Sequence, residues 1–267
     1  MMIKLGLIGC GAIGSCIAKA ILNIPSLSLV CLCDQNKERA EKTASLFPKK
    51  PEIVDIPEVV KKADLIIEAS SIKVVKEVLP LVISEKKDLM VMSVGGLLGE
   101  EKLLKRAEDK GIKIYVPSGA IAGIDGLKGA LLGNIEKVIL KTRKPPKGLL
   151  GAPYIEEKGI DLLNIKDKTR IFKGTAFDAI KGFPANVNVS ATLSLAGIGE
   201  DKTEVEIIAD PKSNKNIHEI LIIGDFGRIN IRCENLPSKD NPKTSYLASL
   251  SAIATLKSIL ASLKIGT

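Results

Sequence analysis

The chain contains no tryptophan, one histidine, and only three Tyr and five Phe among its 267 residues. With so few rings to stack on bases, and 39 basic residues scattered among 31 acidic ones without a long basic run, the net charge of +8 points away from nucleic acid. A small anionic ligand suits it better. None of the five cysteines stands in CxxC spacing, and Cys31 and Cys33 merely alternate within one apolar segment, so reduced structural thiols are expected rather than a metal site. No apolar run approaches the ~20 residues of a membrane span, and no basic segment precedes a long apolar one. A soluble, cytoplasmic protein without a membrane partner is therefore expected. What the chain has in quantity is apolar residues, 45% of the total, which is ample for a packed core and excludes disorder.

The most informative stretch comes first. Residues Ile3 to Ile8 form an apolar run of strand length, and Ile13, Cys16, Ile17, Ala20 and Ile21 then recur at helical spacing. Gly9, Gly11 and Gly14 thus occupy a strand-to-helix turn in GxGxxG spacing, with Ala12 and Ile13 between the last two. In a dinucleotide-binding unit, the first glycine permits the tight turn, the second lets the backbone approach a pyrophosphate, and the third lets helix and strand pack closely. A second apolar segment, Leu27 to Cys33, ends at Asp34, 20 residues after Gly14, where a carboxylate can accept hydrogen bonds from ribose hydroxyls. Asp34 favours NAD because its charge opposes a 2′-phosphate. Lys37 and Arg39 follow closely and could compensate, so the cofactor is expected to be NAD or NADP.

The alternation of strand and helix continues. Helices are expected over 36–47, 56–63, 74–84 and 100–110, and strands over 52–55, 64–68, 89–94 and 112–116. Six strands alternating with helices predict a doubly wound parallel Rossmann sheet. Ligands of such sheets bind beyond the carboxyl ends of strands, which places Ala69 and Ser70 toward the cofactor. After Pro117 the chain turns small and glycine-rich over 118–127, a composition suited to a crossing between domains. Strands are then expected over 137–143, 203–209, 217–223 and 228–234, the last three joined by connections short enough for antiparallel neighbours. The second part is thus an α+β domain on a mostly antiparallel sheet. The expected division is 1–118 for cofactor binding and 119–242 for catalysis and dimerisation, with an amphipathic terminal helix, 243–267, packing back on the first domain.

His218 opens a strand and by the two-residue period points the same way as Ile220 and Ile222, toward the interior or a cleft. A lone histidine can be structural. An imidazole titrating near neutrality can equally take a proton from an amine or hydroxyl. Asn186 and Asn188 stand at the start of a helix, where they could cap it or offer amides to a ligand.

The fingerprint, with Met92-Ser93-Val94-Gly95, Pro117-Ser118-Gly119-Ala120-Ile121-Ala122-Gly123-Ile124-Asp125, Thr142-Arg143-Lys144-Pro145-Pro146, Phe183-Pro184-Ala185-Asn186-Val187-Asn188-Val189, Ala209-Asp210-Pro211 and Asn216-Ile217-His218, resembles the L-aspartate dehydrogenase family over nearly the whole chain. The resemblance implies oxidation of L-aspartate by NAD or NADP to iminoaspartate, which hydrolyses to oxaloacetate and ammonia or feeds quinolinate formation in NAD biosynthesis. It also implies a catalytic role for His218, cofactor contacts at Ala122 and Asn188, and a homodimer. Two substrate carboxylates then need donors, and Arg143 and Lys144 are candidates, a solvated loop being the other reading. Related two-domain enzymes such as dihydrodipicolinate reductase or homoserine dehydrogenase, and a non-catalytic NAD-binding sensor, are the alternatives.

Overall fold

Two β-sheets organise the chain, each the centre of its own unit. The computed structural model describes residues 2–184, 187–238 and 244–266. One unit comprises Met1–Pro117 with Ser251–Ala261, the other Ser118–Leu250 with Ser262–Thr267.

The first unit runs β1 (Ile3–Ile8), α1 (Ala12–Ile21), β2 (Leu27–Cys33), α2 (Lys37–Ala44), β3 (Glu52–Ile53), α3 (Ile56–Lys62), β4 (Leu65–Glu68), α4 (Ile72–Glu85), β5 (Asp88–Val91), α5 (Glu101–Asp109) and β6 (Ile114–Tyr115). Its six strands lie in the order β3-β2-β1-β4-β5-β6, and every pairing is parallel. This is the doubly wound arrangement expected. Parallel strands covered on both faces must be apolar throughout, and β4 is buried along its whole length, Glu68 included. Asn36 caps α2 by accepting from the Arg39 N–H at 3.0 Å, and Asp55 caps α3 by accepting from the Glu58 N–H at 3.0 Å. Ala252 and Leu256 of the terminal helix are buried in the same core as Leu5, Leu7, Ile17 and Leu32.

The second unit continues with α6 (Ile124–Ala130), β7 (Ile135–Lys144), α7 (Pro153–Glu157), β8 (Thr169–Thr175), α8 (Ala176–Gly182), α9 (Asn188–Leu195), β9 (Thr203–Ala209), β10 (Asn216–Gly224), β11 (Gly227–Asn235) and α10 (Tyr246–Leu260), which crosses into the first unit. The sheet order is β11-β10-β7-β9-β8, with β7 and β9 parallel and the other pairs antiparallel. The mostly antiparallel sheet is as expected, but one adjacency is not. β9 and β10 do not pair, because β7 lies between them; a short connection permits neighbouring strands without requiring them. Strand β8 and the helices α7 and α8 went unanticipated, and the residues after Gly123, read as part of a flexible crossing, begin α6. The edge strand β8 offers little pattern to read, with only Ile171 and Phe172 apolar among Thr169–Thr175. Its Phe172 packs edge-on against Tyr154 and Phe183, ring centroids 5.3 and 5.6 Å away. Ala185, Asn186 and Lys243 lie outside the described residues.

Candidate active site

Three glycines build the turn from β1 into α1 by different means. Gly9 holds φ +96°, where side chains are strained, and a Cβ there would lie 2.5 Å from the Ala69 carbonyl oxygen. A Cβ on Gly14 would overlap the Gly9 carbonyl oxygen. Gly11 is unlike both: its φ of −69° suits any residue, and a Cβ there would meet nothing within 4 Å. The space before it is open. No side chain caps α1 and no acidic residue stands in its first turn, whereas α2 and α3 are capped. An uncapped N-terminus behind an open glycine suits a phosphate.

Asp34 is held from both sides, its Oδ2 accepting from the Cys10 N–H at 2.6 Å and its Oδ1 from the Asn36 N–H at 2.8 Å. Gly9, Gly11, Asp34, Ala69 and Ser70 line one cleft of about 330 Å³, together with Arg39 and Lys73. A larger groove of about 680 Å³ near Lys4 and Leu27 contains none of these residues and lies at the amino ends of the strands, away from where such sheets bind ligands. Ala12 and Ile13 open α1, and Gly14 is buried beneath the turn. The residues therefore fit a dinucleotide. Gly11→Ala is expected to change stability by no more than about 1 kcal/mol, since the lost entropy of the unfolded chain offsets a poorer cap. NADH affinity should nevertheless fall by about tenfold or more, because the methyl occupies the pyrophosphate's space. A thermal melt paired with a fluorescence titration checks both, and unchanged affinity would contradict this use of the space.

Glu68 carries a role the residue pattern did not suggest. Its buried carboxylate accepts from the Ser70 N–H at 2.7 Å, the Ser71 N–H at 3.0 Å, the Ser93 N–H at 3.0 Å, and the hydroxyls of Ser70 and Ser93 at 3.1 and 2.9 Å. Burial pushes its pKa up against the pull of these donors. The carboxylate thereby ties together the loops leaving β4 and β5, and Ser70 turns its donors inward while remaining on the cleft wall. An acid closing an apolar strand, with serines after it and at the end of the next strand, was the available signal.

In the second unit the covered face of the sheet becomes polar at one end. His218 lies directly opposite Thr142 on β7 and Cys233 on β11, so these side chains share a face. The imidazole is 2% exposed, and its Nδ1 lies 3.0 Å from Thr142 Oγ1. Burial, with the Lys144 ammonium adding to it, pushes its pKa down to about 3, leaving it neutral near pH 7. Ile220 and Ile222 are buried on the same face, as the two-residue period predicted. Asn235 donates to the Ala120 carbonyl at 2.8 Å, fastening the segment that carries the exposed Ala122 to β11. Asn188 is the first residue of α9, whose N-cap is Val187, so Asn188 is not the capping residue. Thr142, 76 residues from His218 in sequence, had no pattern of its own to reveal it.

Residues 125–259 match the family model described as aspartate dehydrogenase, C-terminal, and residues 9–117 match that described as homoserine dehydrogenase, NAD binding domain. The chain is 49% identical to an L-aspartate dehydrogenase of Methanosarcina acetivorans, over the full length of both. To the L-aspartate dehydrogenase of Methanosarcina barkeri it is 48% identical, again over both full lengths. Among solved structures it is similar to the crystal structure of an aspartate dehydrogenase from Thermotoga maritima, with a TM-score of 0.77 and 25% identity, covering all of both chains.

Proposed function

Because this chain belongs to the L-aspartate dehydrogenase family, we propose that it oxidises L-aspartate to iminoaspartate with a nicotinamide cofactor, NAD ahead of NADP. The iminoaspartate then hydrolyses to oxaloacetate and ammonia or feeds quinolinate formation on the way to NAD. The observation that carries this reading is the buried, neutral His218 held by Thr142 on the face it shares with Lys144. In the same proposal Gly9, Gly11, Ala12, Ile13, Gly14, Asp34, Ala69, Ser70, Ala122 and Asn188 hold the cofactor. In this proposal the enzyme is cytoplasmic, and the family resemblance implies a homodimer.

A bound nicotinamide supplies the hydride acceptor. The chain must supply the proton acceptor, because the amine can form a C=N bond only through a free lone pair, and the substrate arrives as an ammonium. His218 offers Nε2, the ring nitrogen not engaged by Thr142, and takes that proton once the bound substrate restores the basicity that burial suppresses in the empty fold. Nδ1 then carries the hydrogen toward Thr142 Oγ1, which keeps Nε2 free as an acceptor. Asp34 supports NAD through its charge, and Arg39 on the same cleft wall is the group through which NADP is tolerated.

NADH formation at 340 nm tests the reading, with L-aspartate compared against D-aspartate, L-glutamate and L-homoserine, and NAD against NADP. Turnover confined to L-aspartate and faster with NAD is expected. Turnover of homoserine instead would move the chain to a sister activity, and cofactor binding without any turnover would favour a sensor.

A further inference from the structure

We propose that the open edge of β2, at the amino ends of the parallel strands, is a docking site for an extended acidic segment of a partner protein, which adds there as a further strand. The site shares no residue with the cofactor cleft, and the inference stands whichever substrate the enzyme oxidises.

The edge is left open by the sequence around β3. β1 pairs with β2 from Leu27 to Cys33, whereas β3 on the other side meets only Cys31 and Leu32. Pro51 immediately precedes β3, and a residue without an N–H is a poor extension of that strand back along β2. Leu27 turns its N–H to the Ile24 carbonyl at 3.0 Å, but the outer edge of Ser28–Val30 has no strand beside it among the described residues. A groove of about 680 Å³ runs along this edge, and Leu27 through Val30 all line it. An unpaired edge is a template for another strand, because an added backbone exchanges hydrogen bonds with it.

The two sides of the groove differ. Leu27 and Leu29 belong to the core that includes Ile17 and Ile21 of α1, and Ile24 and Phe47 pack against that same core. On the opposite face a Cβ at Gly6 would meet Val59 and Ala63 at α3, so Lys4, two residues earlier on β1, belongs to the α3 side. Lys62, the last residue of α3, lines the groove there too, and Lys49 and Lys50 complete the rim. Four lysines thus meet one acid, Glu52, which is already paired with Lys62. Lys4, Lys49 and Lys50 have no acidic partner among the described residues.

Strand geometry turns this asymmetry into a recognition rule. Successive side chains of an added strand go to opposite faces, apolar ones beside Ile24 and Phe47 and acidic ones beside Lys4 and Lys62. The segment recognised therefore alternates acidic and apolar residues. A second copy of this basic edge is opposed by the same lysines, since like charges would meet across the new pair.

The test titrates the full chain, with NADH bound, against a fluorescently labelled octapeptide that alternates glutamate and valine. Saturable binding with Kd below about 1 mM is expected. A peptide with lysine in place of glutamate should bind at least about tenfold more weakly, as should the original peptide on a protein carrying both Lys49→Glu and Lys50→Glu. NADH affinity should hold in that variant, because neither residue lines the cofactor cleft. N-methylation of the peptide backbone removes its donors without changing its charge, and should cost about tenfold or more on the unaltered protein. Absence of binding by the glutamate peptide would overturn the proposal. So would equal binding of the N-methylated form, since charge alone would then hold it. Displacement of the peptide by an equal concentration of succinate would instead mark a small-anion site, and a peptide that splits a larger assembly on sedimentation would assign the edge to a second copy; either result sinks the proposal.

Discussion

His218→Ala is expected to lower turnover of L-aspartate by about 10²- to 10⁴-fold, the range associated with loss of a positioned general base. NADH binding should survive, because the cofactor fingerprint is assembled in the other unit. Thr142→Val separates position from presence: it retains the shape of the side chain but removes the hydroxyl 3.0 Å from Nδ1. With the imidazole free to take either tautomer, kcat should fall by about tenfold or more while KM for NAD stays level. The pH dependence has a definite sign. The folded imidazole has its pKa lowered from 6.5 to about 3. Between these values the unfolded chain binds a proton that the folded chain refuses, so stability is present above pH 6.5 and is lost as the pH falls toward 3. For this single group the slope is at most about 1.4 kcal/mol per pH unit. Acid unfolding of His218→Gln beside the wild type isolates it: an identical decline in both proteins would mean that His218 is not buried neutral.

Glu68→Ala should be the most damaging change in the first unit. It strips the acceptor from the backbone N–H groups of Ser70, Ser71 and Ser93 at once. The Ser93 donor is buried and costs about 1–3 kcal/mol when left unsatisfied, whereas those of Ser70 and Ser71 are only part-buried, so water replaces some of what they lose. Urea unfolding should show a sharply lower midpoint. Glu68→Gln is the informative companion, since an amide NH₂ is turned toward groups that also donate. It should fold with a reduced midpoint and bind NADH about tenfold more weakly, because the loop 69–71 on the cleft wall loses its anchor. NADH binding at wild-type strength in Glu68→Gln would show that the carboxylate does not shape the cleft.

Much of the first unit was legible in the sequence because its signals are local. A glycine that must turn, a strand that must be apolar on both faces and an acid one strand later are properties of neighbouring residues, and Gly9 through Asp34 display them all. The inward direction of His218 was legible for the same reason, since the two-residue period with Ile220 and Ile222 assigns a face without reference to any other strand. Tertiary structure decided everything that depends on which strand lies beside which. Placing β7 between β9 and β10 brought Thr142 opposite His218, and alternation along β7 then sent Arg143 to the acids of the open face and Lys144 to the histidine. Glu68 became a hub because the end of β5 delivers Ser93 to it across 25 residues of sequence. A side chain's periodicity records which side it faces; its burial, its charge state and its partners are set by segments distant in the chain, through hydrogen bonds and packing that exist only once the sheet has formed.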